Sequence, residues 1–170
     1  MESFKEGWYL IYTKPRHERR VAEQLQEKQI NVFFPTMTRV KQWSDRKKVM
    51  QEPMFPSYVF VFLRDLKMHY YSLGTFGFLK YVKFGKDVAR VPEKVIDNLK
   101  VLASHEQEVE VTETHIHAGQ KVVVQKGPLT GLEGEVLKHN GKHKILVRVS
   151  LLMRNVLVDI SPEHLLLSLS

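Results

Sequence analysis

The sequence predicts a mixed α+β protein in two parts: an N-terminal α/β sandwich, with an antiparallel sheet flanked by helices, and a small C-terminal β-barrel. Three observations predict it. Strand-like and helix-like segments interleave through residues 1–103, helical periodicity is absent from Ile116 onward, and charge is divided unevenly. Residues 1–105 carry 19 Lys and Arg against 11 Asp and Glu, whereas residues 106–170 carry 7 against 8. Only the first part is electrostatically suited to a polyanion.

Phe4 to Thr13 alternates as a strand and is broken at Pro15. Val21, Ala22 and Leu25, with Ile30 beyond, then fall on one face of a short amphipathic helix. Asn31–Val40 and Val49–Met54 read as two extended arms. The polar segment Lys41–Lys48 joins them, with a turn at Ser44-Asp45. Pro53 and Pro56 bracket Met54-Phe55, which cannot be an interior ladder strand. Tyr58–Leu63 is the most β-favouring run of the chain and is expected as a central strand. Asp65 caps a helix ended by Gly74, Phe78–Phe84 is a further strand, and Pro92 opens a helix that buries Val95, Ile96, Leu99 and Leu102.

Residues 104–115, rich in Glu, read as a solvated linker between residues 1–103 and 116–170. Five short strands follow, at Lys121–Gln125, Leu132–Lys138, Lys144–Leu151, Asn155–Ile160 and Leu165–Leu167. Five strands in about 55 residues are too few for a sandwich, so a closed barrel is the better solution.

The 170 residues contain no cysteine, which removes disulfides, thiol nucleophiles and cysteine-ligated zinc. No apolar run approaches the ~20 residues that span a bilayer, and the N-terminus lacks a signal pattern. The cytoplasm is the simplest location, and a monomer is expected.

WYLIYTKPRHERRVAEQL, EPMFPSYVFVFL and FLKYVKFGKDVARVP together resemble the N-terminal (NGN) domain of NusG-type elongation factors. HAGQKVVVQKGPLTGLEGEV and VRVSLLMRNVLVDI resemble the KOW domain, an SH3-like barrel, that follows it in that family. Within the family, EPMFPSYVFV and HYYSL look closer to RfaH- and UpxY-like specialised antiterminators. The housekeeping pattern has Gly after the FP pair, where this chain has Ser57.

The resemblance implies a regulator that suppresses pausing and termination. Its N-terminal domain would grip the clamp helices of the large subunit of RNA polymerase through Tyr12, Phe55, Tyr58, Phe60 and Phe84. Phe55, between two prolines, has no obvious core slot and is expected to stand exposed. For Phe60 and Phe84, core filling is an open alternative. Lys14, Arg16, His17, Arg19 and Arg20 gather at the start of the first helix, whose amides also favour an anion. With His69, Tyr70 and Tyr71 they would face the displaced non-template DNA strand, since rings beside cations suit single-stranded bases. A solvated helix face is the alternative. At the hairpin tip, Arg39, Lys41, Trp43, Arg46, Lys47 and Lys48 would meet the polymerase body or upstream DNA.

The resemblance also implies that the barrel recruits ribosomal protein S10 through Leu151, Leu152, Met153 and Arg154. The aromatic usual at this place is absent, which counts against Rho. Gly127, Gly131 and Gly134 do not form a phosphate loop, because no Lys-Ser/Thr pair or helix follows, and they are expected to serve barrel turns. Gln120 replaces the usual acidic residue at a turn. β-branched runs such as Val122–Val124 favour a stable barrel over a helical refold.

No nucleophile–base constellation stands out, so no enzyme activity and no cofactor is expected. His115/His117 and His139/His143 have metal-compatible spacing, but chance accounts for such pairs among eight histidines. Two other readings stay open: a general housekeeping factor, and a ribosome- or RNA-binding KOW protein. The neutral-to-acidic barrel argues against the last.

Overall fold

The computed structural model describes residues 4–105 and 108–167. In chain order the elements are β1 (Gly7–Thr13), α1 (Glu18–Glu27), β2 (Asn31–Phe33), β3 (Thr36–Gln42), β4 (Lys47–Pro53) and β5 (Tyr58–Leu63). There follow α2 (Leu66–Leu73), β6 (Phe78–Tyr81), β7 (Lys83–Phe84), β8 (Asp87–Val88), β9 (Arg90–Val91) and α3 (Glu93–Ala103). The remainder is β10 (Glu110–Thr112), β11 (Gln120–Val124), β12 (Glu133–His139), β13 (Lys142–Val149), β14 (Arg154–Asp159) and β15 (Leu165–Leu167). The expected mixed architecture, an antiparallel sheet with helices followed by a small β domain, is the one observed.

By packing, the chain forms two units. One runs through Pro35 and resumes over Pro53–Glu93; the other combines Thr36–Glu52 with the chain from Lys94. The β3–β4 hairpin and α3, which chain order places in the first part, therefore belong to the second unit by their contacts.

The first unit is built on a sheet in the order β2-β5-β1-β6, with β9 also pairing β1. β1 and β5 run antiparallel with Trp8 opposite Phe62, Leu10 opposite Phe60 and Tyr12 opposite Tyr58. Alternation puts these residues on one face and Tyr9, Ile11, Val61 and Leu63 on the other. That second set meets Val21 and Leu25 of α1, Ile30 and Tyr81 in the core. The helix forms where its apolar spacing allows such burial; Arg19, Arg20 and Glu23 stay exposed. α2 begins as expected, the Asp65 carboxylate accepting from the Met68 amide at 2.8 Å.

In the second unit the sheet order is β10-β14-β13-β12-β11-β15. The five expected strands are present within one or two residues, and β10 adds a sixth. It pairs Val111 with Val156 of β14 while Val109 is buried. This corrects the reading of 104–115 as solvated throughout: Val109 and Val111 supply a short alternation that an available edge captures. α3 buries Ile96, Asn98, Leu99 and Leu102, with Val95 only partly covered. The Asn98 side chain pairs with the backbone of Glu133 at 3.0 and 3.1 Å, as a neighbouring strand would. Gly127 and Gly131 have φ of 85° and 89°, as expected of turns. Gly134 differs: an added Cβ would lie 2.6 Å from the Leu146 carbonyl oxygen, so close strand approach explains it.

Candidate functional site

The aromatic face of the first unit's sheet is graded. Leu10 and Phe60 are fully buried, Trp8 nearly so, and Tyr12 and Tyr58 at the far end are partly exposed. The last two rings lie 5.3 Å apart, and Lys80 sits 5.8 Å from the Tyr12 centroid. Phe55 corrects the sequence expectation. It is 3 % exposed and packs edge-on against Phe60 at 6.1 Å. Prolines do keep it out of the ladder, but the turn they create folds the ring back onto the sheet. Phe60 is likewise core. Phe84 goes the other way: it stands 82 % exposed in the β7–β8 hairpin, whose turn is formed by Gly85 and Lys86. Of the five rings, the structure pairs Tyr12 with Tyr58 and Phe55 with Phe60, and presents Tyr12, Tyr58 and Phe84 to solvent.

Beside α1 a second surface appears. Lys14, Arg16, Arg19 and Arg20 are all exposed, as expected. Their aromatic companion is one that sequence reasoning missed. Phe76, 51 % exposed, has Arg20 Cζ 4.5 Å and Lys14 Nζ 5.5 Å from its ring centroid, with the His17 ring at 5.6 Å. The Gln24 amide clamps the Phe76 backbone from both sides, donating to the carbonyl at 3.1 Å and accepting from the N–H at 3.2 Å. Gly77 makes the close approach possible, because a Cβ there would lie 2.9 Å from His17 Cβ. The signal lay in GTFG, a ring between glycines outside any periodic segment.

α2 divides its aromatics. Tyr70 and Tyr71 are 62 % and 51 % exposed, and Lys67 Nζ lies 5.5 Å from the Tyr71 ring. Lys28 reaches across from the end of α1 to donate to the Tyr71 carbonyl at 3.0 Å. His69 departs from the expected role. It stacks on Tyr81 at 4.7 Å and 22°, with Phe4 and Tyr70 alongside, and burial lowers its pKa. One face of the ring is thus already taken by Tyr81. A negative charge already lies in the first turn of α1: Glu18 is buried there, its carboxylate accepting from the Ser57 amide at 2.7 Å.

The β3–β4 hairpin forms as expected, closed by the Trp43 amide donating to the Arg46 carbonyl at 2.7 Å. Trp43 is 45 % exposed, with Arg46 and Lys48 at 5.7 and 5.1 Å from its ring. Arg39 and Lys41 share Glu52 at 3.6 and 3.0 Å.

In the barrel unit, Leu151–Arg154 does not act as one surface. Leu152 is core, and Arg154 is held by Glu113 at 2.7 Å, while Met153 is 80 % exposed in a left-handed conformation at φ 52°. The 3-10 turn Ser150–Leu152 tucks every third residue inward, which run-level reading could not anticipate. Nearby, Arg148 bonds Glu135 at 2.6 Å. Burial alone pushes the Glu135 carboxyl up, but Arg148, the Gly119 amide and Lys121 together hold its pKa below the ordinary value. Among the described residues no group of three or more His, Asp or Glu is placed to hold a metal, and no helix is long and apolar enough to cross a membrane.

A family model for the transcription termination factor NusG matches residues 6–100. The transcription termination/antitermination protein NusG of Streptococcus pyogenes is 24 % identical over 164 residues, covering 88 % of this chain and 90 % of its own. That of Lactococcus lactis is 24 % identical over 96 % of this chain and 94 % of its own. A solved structure of Thermotoga maritima NusG superposes with a TM-score of 0.53 at 20 % identity, covering 95 % of this chain and 96 % of that one.

Proposed function

The chain belongs to the NusG family of transcription termination and antitermination factors, and from that premise we propose that it binds elongating RNA polymerase through its first unit. The single observation that carries the proposal is the graded aromatic face. Tyr12 and Tyr58 emerge partly exposed from a buried ladder, and Phe84, in the β7–β8 hairpin, stands 82 % exposed. Rings of this kind are covered at little ordering cost by an apolar helical surface such as the polymerase clamp helices. The family comprises transcription factors rather than enzymes, and the chemistry of the site is binding.

In this reading residues 1–103 form the polymerase-binding part, with 104–115 as the connection and 116–170 as a partner-recruiting barrel. The cation-flanked Phe76, with Tyr70 and Tyr71, takes bases of the non-template strand. Met153 and Leu151 form the exposed part of a docking point for ribosomal protein S10. Ser57, in place of the usual glycine, supports a specialised antiterminator over a general factor. The test is binding of full-length protein to stalled elongation complexes, with Tyr58→Ala and Phe84→Ala. Tight binding that both variants weaken supports the reading; equal binding by all three proteins, or none by the wild type, refutes it.

A further inference from the structure

Val109 is buried and Glu110–Thr112 pairs with β14, and the ties continue beyond that short strand. The Glu113 carboxylate meets Arg154 at 2.7 Å. The Thr114 carbonyl accepts from the Asn155 side chain at 3.0 Å, and the Ile116 carbonyl accepts from Arg148 at 2.8 Å. Residues 109–116 therefore run along the barrel sheet as a strap, where chain order alone suggests a free tether.

The two neighbours of β14 hold it unequally. β13 pairs with it continuously from Lys144 opposite Asp159 to Val149 opposite Arg154, whereas β10 covers only Asn155, Val156 and Leu157. Val156, Leu157 and Val158 are core residues, so β14 is anchored in the fold independently of β10. The strap is held more lightly: a three-residue ladder, one buried valine, two side-chain hydrogen bonds and ion pairs through Glu110 and Glu113. Those two carboxylates are 45 % and 72 % exposed, and exposed ion pairs contribute little. A lifted strap leaves a row of unpaired N–H and C=O groups on β14, which is a template for another strand.

The edge also has a chemical preference. At one end Lys144 and His139 lie 3.6 and 4.0 Å from Glu110, and at the other Arg154 meets Glu113. Between them Val111 lies opposite Val156. The sequence Glu110-Val111-Thr112-Glu113 is thus an acidic residue, a β-branched one, a small polar one and a second acidic one, matched to cations at both ends of the edge. A nucleic acid would satisfy the cations but not the ladder, and a basic peptide would satisfy the ladder against repulsion.

We propose that the β14 edge is a docking site for an extended acidic segment of another protein, closed in the free chain by its own residues 109–116. Docking exchanges one antiparallel strand for another. The proposal rests on the barrel's geometry and stands apart from the polymerase reading above.

The experiment uses the full chain and, as probe, a fluorescent synthetic peptide copying residues 108–117, read by anisotropy. An intramolecular strand competes at an effective concentration on the order of millimolar, so the peptide should bind the wild type weakly. Glu110→Lys/Glu113→Lys weakens the strap and leaves the edge cations in place; it should bind the peptide at least ten-fold tighter. A peptide with both matching glutamates changed to lysine should not bind. Thr112→Cys/Asn155→Cys, at positions opposite each other in a chain without cysteine, locks the strap when oxidised. Oxidation should abolish peptide binding and reduction should restore it. Hydrogen exchange on the charge-reversed variant should speed at least ten-fold at the β14 amides that point to β10, while Ile145–Val147 of β13 keep their protection. Equal binding by variant and wild type, or binding indifferent to the lock, overturns the proposal. So does loss of β13 protection together with β14, which would make the strap an integral barrel strand, and so does dimerisation of the variant in place of peptide binding, which would make a second copy the occupant.

Discussion

The buried Glu18 carboxylate accepts a hydrogen bond from the Ser57 amide at 2.7 Å, tying the first turn of α1 to the loop that enters β5. On the other side of the same residue, the Ser57 carbonyl accepts from the Thr13 amide at 2.8 Å. Between these two bonds Ser57 is held at φ 68°, in the left-handed region.

The first prediction concerns this clamp. The left-handed conformation costs a residue with a Cβ about 1–2 kcal/mol, of which glycine's greater unfolded-state freedom gives back roughly 0.5–1 kcal/mol. Ser57→Gly should therefore stabilise by about 0.5 kcal/mol in denaturant unfolding, and Ser57→Val should destabilise by more than ~1 kcal/mol. Glu18→Ala, which leaves the amide unpaired, should lose about 1–3 kcal/mol, and Glu18→Gln less. A neutral Glu18→Ala would show that water replaces the carboxylate.

Phe55 and Phe84 should separate folding from binding. Phe55→Ala empties a core slot against Phe60 and should cost about 3–5 kcal/mol of stability. Phe84→Ala removes an exposed ring, so its melting temperature should match the wild type while affinity for elongation complexes falls by about ten-fold or more. Reversed outcomes would place Phe84 in the core and Phe55 on the interface.

His69 predicts a stability change near neutrality. Its folded pKa is depressed by burial against Tyr81. A depressed group contributes stability that is present above the unfolded value of 6.5 and is lost as pH falls through the folded value. The melting temperature should thus decline from pH 7.5 to 5, and His69→Phe should flatten that decline while keeping the stack. Glu135 and Asp159, both depressed, add a second loss only below about pH 4.5, so the two windows are distinct.

The basic face of α1 should show itself by salt. Phe76→Ala should reduce crosslinking to the non-template strand several-fold, consistent with ~1–3 kcal/mol per stacked base. Arg20→Ala should make that crosslinking less steeply salt-dependent. Crosslinking indifferent to salt in the wild type would remove phosphate contact from the account.

Elements were legible in the sequence where a local rule decides them. The Asp65 cap, the helix after Pro92, the turn at Ser44-Asp45 and the β-branched barrel strands each follow from chemistry within a few residues. Exposure was legible less often. Phe55 and Phe76 look alike in sequence, each a ring beside backbone-breaking residues, yet one closes the core and the other lies under Arg20 and Lys14. Likewise His69 and Tyr70 are neighbours on one short helix, and only the helix's rotation on the sheet turns the first inward.

By itself the sequence determined the two-part α+β architecture, the family, and the uneven charge that makes the first part fit for a polyanion. These depend on periodicity, punctuation and composition, which local physics reads without distant partners. Only the tertiary structure decided which rings remain for a partner, why Ser57 bears a glycine's conformation, and which edge captures Val109 and Val111. Each of those depends on residues tens of positions apart, as Glu18 is from Ser57, and burial is settled by what arrives from there.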